Sequence, residues 1–168
     1  GEALQLLQRA ETAGYSDTLL FFHRGVAEFI QGLYQKAVES YTKALEQPSK
    51  RVPIELARAH RAESEMRLQR YAEAKNDFEA LLALAPKNSR YLMGLGLARL
   101  GTNDAAGALE TFNILMSLTP DALAFYGRAL AHNNLGNNVV ATQDIARAVE
   151  LEPQNIAYQK VQERIKKG

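Results

Sequence analysis

The sequence predicts an all-α solenoid, a stack of antiparallel helix pairs closed by a C-terminal capping helix. Three observations carry that prediction. Small and aromatic residues recur in fixed order every 33 to 37 residues. The copies read Gly25, Ala37, Tyr41, Ala44, Pro48; Ala62, Ala74, Phe78, Leu81, Pro86; Gly96, Ala108, Phe112, Leu115, Pro120; and Ala129, Ala141, Ile145, Ala148, Pro153. Within each copy the spacing is helical, and the breaks between copies hold Pro, Gly and Asn. A unit of this length cannot bury its apolar face alone, so copies must stack to make a continuous core.

Taken in order, residues 1–14 align as a second helix without its first, because Ala3, Leu7 and Ala10 fall 34 positions before Ala37, Tyr41 and Ala44. Four full repeats follow, at 17–50, 53–87, 88–120 and 121–153. Their rulers, Ala37, Ala74, Ala108 and Ala141, lie 37, 34 and 33 residues apart. The longer first interval falls in Gln47–Pro53, where two prolines predict an extended loop. Residues 154–168 form one last helix, with Ile156, Tyr158, Val161 and Ile165 spaced for a single face and charge elsewhere, as a cap requires. Pro53 suits a helix start, Asn88, Asn103 and Asn137 suit N-caps, and Gly14, Gly101 and Gly136 suit helix ends. The count is ten helices and no strand, and the whole of 1–168 is expected to form a single domain.

Composition narrows the function. Twenty Lys+Arg against nineteen Asp+Glu leave a net charge of +1, which offers no electrostatic case for nucleic acid or an anionic membrane. The basic cluster Lys160, Arg164, Lys166, Lys167 is short and suits a helix C-terminus. No apolar run is long enough to span a bilayer. The absence of Cys excludes disulfides and thiolate ligands without choosing a compartment. The chain opens on Gly1 rather than Met and is read as a piece of something longer, so its localisation stays open.

Charges sixteen residues apart span a helix, a turn and the antiparallel neighbour. Arg61 with Asp77 and Arg128 with Asp144 are expected to pair inside their repeats, where Arg24 has Ser40 and Leu95 has Thr111. Arg24–Glu28 and Arg61–Glu65 are i,i+4 pairs that can support their helices.

These features resemble the tetratricopeptide repeat, whose motif of roughly 34 residues carries a small residue midway in helix A, Gly-x-Tyr before helix B, then Ala, an aromatic, Ala and Pro. The first copy has Gly25, Gly32-Leu33-Tyr34, Ala37, Tyr41 and Ala44, and four copies in register cover nearly the whole chain. The early aromatic of helix A is Phe21 and Phe125 in two copies but Arg58 and Leu92 in the others, and the Tyr that opens helix B is replaced by Ala105 and Asn138. The resemblance implies a right-handed superhelix in which the A helices line a concave face. One branch of the family grips chaperone C-terminal carboxylates with Lys and Asn; the matching places here hold Phe22, Val26, Ala59, Glu63, Met93 and Leu97, so that clamp is absent.

Chemistry is not visible. His23, His60 and His132 have no second ligand at a metal-binding spacing, and neighbouring A helices lie roughly 10 Å apart, too far for two histidines to share an ion. Gly94-Leu95-Gly96 sits inside a helix without the strand a phosphate loop needs, and no nucleophile, base and orienting group fall in order. The reading is therefore non-catalytic, with no cofactor and no metal.

The groove that the resemblance implies takes Leu19, Phe22, His23, Val26, Phe29 and Ile30 from the first repeat. The second gives Leu56, Ala59, His60, Glu63, Met66 and Arg67. The third gives Arg90, Met93, Leu97 and Leu100, and the fourth Leu123, Tyr126, Leu130, Asn133 and Asn134. An apolar face of this kind marks docking of a peptide, helix or protein. Arg67, Arg90, Glu63, Asn133 and Asn134 would set register, and Glu at Phe29 or Met93 is expected to abolish binding without loss of helix. The alternative is an assembly module, self-associating or packing on the rest of a longer chain through the groove or through the apolar surface of 1–14.

Overall fold

A computed structural model of the chain describes residues 2–14, 17–46 and 50–167, with the side chains of 2, 3 and 8 outside that description. Among the described residues there are ten α-helices and no strand: α1 (Glu2–Thr12), α2 (Thr18–Ile30), α3 (Tyr34–Glu46), α4 (Ile54–Arg67), α5 (Tyr71–Leu84), α6 (Ser89–Gly101), α7 (Ala105–Leu118), α8 (Ala122–Asn134), α9 (Asn138–Leu151) and α10 (Ile156–Lys167). The chain divides into two compact units, Gly1–Leu81 and Leu82–Gly168, parted within α5. Gln47, Pro48 and Ser49 of the long loop and the Ala3 side chain lie outside the described residues.

Helix starts follow the polar residue that can accept orphan N–H groups. Asp17 caps α2 by accepting from Leu19 N, Asn88 caps α6 by accepting from Arg90 N and Tyr91 N, and Asp121 caps α8 by accepting from Ala124 N. Asn103 does not cap α7. Asp104 takes that role, accepting from Gly107 N, while Asn103 holds a φ of 61°. Pro53 occupies the N-cap of α4 rather than its first turn.

The turns between paired helices share one device. Gly32, Gln69, Asn103 and Gly136 are equivalent positions, and all are left-handed, with φ of 73°, 60°, 61° and 76°. That conformation costs glycine nothing and other residues more. Gly101, expected to end a helix, is the last residue of α6.

In the unit Gly1–Leu81, α3 packs on both α2 and α4, α2 also meets α4, and α1 packs on α2. Phe22, Ala37, Tyr41, Ala44, Val52 and Ala57 form its core cluster. In the unit Leu82–Gly168, one cluster gathers around Leu92, Met93, Phe112 and Leu115, and a second joins Ala129, Ala141, Ile145 and Ala148 to Tyr158 and Ile165 of the capping helix. Ile156 leaves the capping face and stands 65% exposed.

The small residues of the A helices exist for an aromatic neighbour. A Cβ on Gly25 would lie 2.8 Å from the Tyr41 ring, and one on Gly96 would lie 2.3 Å from the Phe112 ring. Repeat spacing alone sets Gly25 against Ala37 and Gly96 against Ala108 as facing small residues. The rings fill those joints instead, and the alanines, completely buried, belong to the surrounding core.

Candidate partner-binding surface

Polar joints fix each helix pair before any surface is presented. Arg61 grips Asp77 with two bonds, Nε to Oδ2 at 2.7 Å and Nη2 to Oδ1 at 2.8 Å, and Arg128 grips Asp144 in the same way at 2.7 Å each. Arg24 Nε donates to Glu28 Oε1 at 3.1 Å. The expected Arg61–Glu65 pair gives way, because both Nε and Nη2 of Arg61 are committed to Asp77 and Nη1 to Thr42. Side-chain hydrogen bonds to Asp77 and Asp144 raise the pKa of Arg61 and Arg128 above the usual arginine range, so both stay charged. Where the motif lacks its early aromatic, Arg58 joins the same cluster by donating to Asp77 Oδ1 at 2.9 Å.

On the first unit, the A helices are α2 and α4. His60 of α4 stacks on Phe29 of α2, with ring centroids 4.6 Å apart and planes 7° apart, and its Nδ1 shares a 2.9 Å hydrogen bond with the Tyr41 hydroxyl. Burial, then the Glu28 and Glu63 carboxylates, raise the Tyr41 pKa well above the usual phenol range, so that hydroxyl keeps its proton. Phe22 and Ala59 lie in the interior, each 5% exposed, and are core residues rather than groove contacts. Leu19, Val26, Phe29, Glu63 and Met66 are half-buried, as is His60, while His23, Arg67 and Leu56 are exposed and Ile30 is 77% exposed.

Between α1 and α2 the structure opens a cleft of about 520 Å³ lined by Leu6, Leu7, His23, Val26, Ala27, Ile30 and Gln31. Three of these, His23, Val26 and Ile30, were expected in a groove. Leu6 and Leu7 belong to a helix whose apolar surface the sequence marks without its neighbour, because periodicity does not say that α1 lies beside α2.

On the second unit, the A helices are α6 and α8. Met93 and Leu130 are buried and belong to the core. Leu97 and Leu100 are half-buried against the cluster around Phe112. Tyr126 is half-buried, its ring 4.8 Å from that of Tyr158 in α10, and burial raises the pKa of both hydroxyls. Asn134 turns back to donate to Leu130 O at 2.9 Å. Arg90 and Leu123 are exposed and Asn133 half-buried. The four interior residues, Phe22, Ala59, Met93 and Leu130, share one cause: successive A helices pack on each other as well as on their B helices, and this removes part of the face that helical spacing assigns to the groove.

Among the described residues no three His, Asp or Glu side chains gather as a metal site requires, and no helix is long and apolar enough to cross a membrane.

The class that this architecture defines is the family of tetratricopeptide repeats, and the comparisons agree. The tetratricopeptide repeat family model matches residues 1–51 and 60–122, so the chain belongs to that family. Sperm-associated antigen 1 of Mus musculus is 29% identical over 119 residues, covering 67% of this chain and 13% of that protein's length. Among solved structures, YrrB, described as a TPR protein with an unusual peptide-binding site, superposes with a TM-score of 0.83 at 16% identity over 96% of this chain and 82% of its own. MamA from Desulfovibrio magneticus RS-1 gives 0.78 at 22% identity over 92% and 86%. The second TPR domain of human RPAP3, solved with an HSP70 peptide, gives 0.60 at 22% identity over 67% and 95%. These likenesses show the fold. That fold serves in general as a non-catalytic scaffold for protein–protein interaction.

Proposed function

We propose that this chain is a non-catalytic adaptor that docks an amphipathic helix of a protein or peptide partner on the A-helix face of its first unit. The cleft between α1 and α2 carries the proposal: about 520 Å³ of largely apolar wall, with Ile30 77% and Leu6 64% exposed. Exposed aliphatic surface around a cleft is stabilised by an apolar occupant.

The repeat itself supplies a template for the occupant. His23, Val26 and Ile30 correspond to His60, Glu63 and Arg67 one repeat later, and Leu7 corresponds to Tyr41. The place beside α3 and α4 that matches this cleft is filled by helix α2, with Phe29 stacked on His60. The occupant that fits between α1 and α2 is therefore a helix with an aromatic side chain set to stack on His23 and aliphatic residues for Leu6, Val26 and Ile30. Arg67, exposed at the end of α4 in the same unit, would help fix the register of the partner.

The test uses a labelled synthetic peptide of residues 17–31, the helix that fills the matching place, and reads its fluorescence anisotropy against the whole chain. Saturable binding that weakens at least tenfold in Ile30→Glu and in Leu6→Glu supports helix docking in the cleft. Equal binding by all three chains, or none, overturns it. The same exposed Ile30 and Leu6 favour one second reading, an assembly module. Mass from light scattering that rises with concentration in the wild type but not in Ile30→Glu selects that reading.

A further inference from the structure

Two or three of the same three equivalent positions build the polar joint of each helix pair. In the first pair they are Arg24, Glu28 and Ser40: Ser40 Oγ donates to Glu28 Oε2 at 2.6 Å and Arg24 to its other oxygen. In the third, Arg99 stands where Glu28 stood, and its Nη1 donates to Thr111 Oγ1 and to Gly107 O, both at 2.9 Å. In the fourth, Arg128 holds Asp144 at both oxygens. Each of these joins groups that complement one another.

The second pair does not. Its positions hold Arg61, Glu65 and Asp77, which sets a carboxyl of α4 against a carboxylate of α5. Asp77 takes the available cations, with three bonds from Arg58 and Arg61. Glu65 is 6% exposed, and its Oε2 is buried with no hydrogen-bond partner. A buried carboxylate without a partner is costly, and a neutral carboxyl far less so.

We propose that Glu65 is a protonation switch in the α4–α5 joint: it packs neutral beside Asp77, and loss of its proton loosens the second helix pair. Burial, reinforced by Asp77 and Glu73 of α5 and opposed by Arg61 of its own helix and Arg70 of the connecting turn, pushes the Glu65 pKa up to about 7. The groups that α3 brings to this corner, Thr42 on Arg61 and Gln35 on Arg70, carry no charge, and among the described residues α2 adds no charge that acts on it.

The direction of the effect follows from linkage. The folded chain holds this proton more tightly than the unfolded chain, whose glutamate keeps the ordinary value of 4.5. The contribution is therefore complete below that value and is lost as pH rises through about 7. Between pH 5.5 and 8.5 the folding equilibrium constant falls roughly 30-fold from this group alone.

Urea unfolding of the whole chain at several pH values, for wild type and Glu65→Gln, tests the switch. The two chains differ only at this carboxyl, so the difference between their pH profiles isolates Glu65. The expected result is a wild-type constant that drops about 30-fold relative to the variant between pH 5.5 and 8.5, with amide protection in α4 lost above neutrality in wild type and kept in Glu65→Gln. Parallel pH profiles overturn the proposal. If the variant does not fold, the carbon-13 titration of the Glu65 carboxyl in the wild type decides: a midpoint near 7 supports the switch, and one in the ordinary carboxyl range ends it.

Discussion

The ring of Phe112 is completely buried, with α6 on one side and α8 on the other, and both helices present a glycine to it. Replacing Gly96 with Ala places a Cβ 2.3 Å from Cε1 and 2.4 Å from Cζ of that ring. Contacts that short force a displacement. Moving toward α8 offers little relief, because the ring already packs close on Gly127, where an added Cβ would lie 2.6 Å from Cδ1 and Cε1. Overpacking of this kind costs about 1–3 kcal/mol. Against it stands the helix preference of Ala over Gly, about 1 kcal/mol in a helix interior. The net expectation for Gly96→Ala is a loss of up to about 2 kcal/mol, where a glycine in a free helix would give a gain of about 1 kcal/mol. Urea unfolding followed by far-ultraviolet circular dichroism measures the sign directly. Ala146→Gly, at an exposed position inside α9, calibrates the preference term in the same unit. Phe112→Leu is the second arm: combined with Gly96→Ala it should cost less than the sum of the single changes, with a coupling of about 0.5–3 kcal/mol. A Gly96→Ala chain more stable than wild type by the full preference term, or strict additivity with Phe112→Leu, would refute the account of the joint.

Other changes follow from the same geometry. Gln69 occupies, at φ 60°, the left-handed turn position that Gly32 and Gly136 fill elsewhere, so Gln69→Gly should raise stability by up to about 1 kcal/mol in urea unfolding. Arg128→Met leaves Asp144 buried without its two bonds; since the arginine side chain is 26% exposed, the expected loss is about 2–3 kcal/mol, discounted from the fully buried case. Asp144→Leu added to Arg128→Met should recover most of that loss, because the cost lies in the stranded charge. Ile30→Glu, at a position 77% exposed, should change stability by no more than about 0.5 kcal/mol while weakening the docked peptide.

The family, the order of the helices and the partners inside each pair are legible in the sequence for one reason. A repeat writes the same local problem four times, so period, small residues and charge spacing reinforce one another. The pairs Arg61–Asp77 and Arg128–Asp144 could be read sixteen residues apart because a short turn leaves an antiparallel helix little freedom of register. The left-handed position at Gln69 and Asn103 was not legible, since only Gly32 and Gly136 announce it by residue type. Helical spacing placed Met93 and Phe22 on the face of the groove, and packing between neighbouring helices moved them into the core.

What the sequence determined by itself is the repeat: where helices start, which faces are apolar and which residues meet across one turn, all consequences of local geometry. Tertiary structure decided what lies beyond a single turn. It set Phe112 between two glycines 31 residues apart in sequence, Gly96 and Gly127. It brought Leu6 of α1 to Ile30 of α2 to open a cleft, and it left Glu65 facing Asp77 after the arginines were taken. Burial and unmet hydrogen bonds arise from the sum of neighbours contributed by separate helices, and no one-dimensional period encodes that sum.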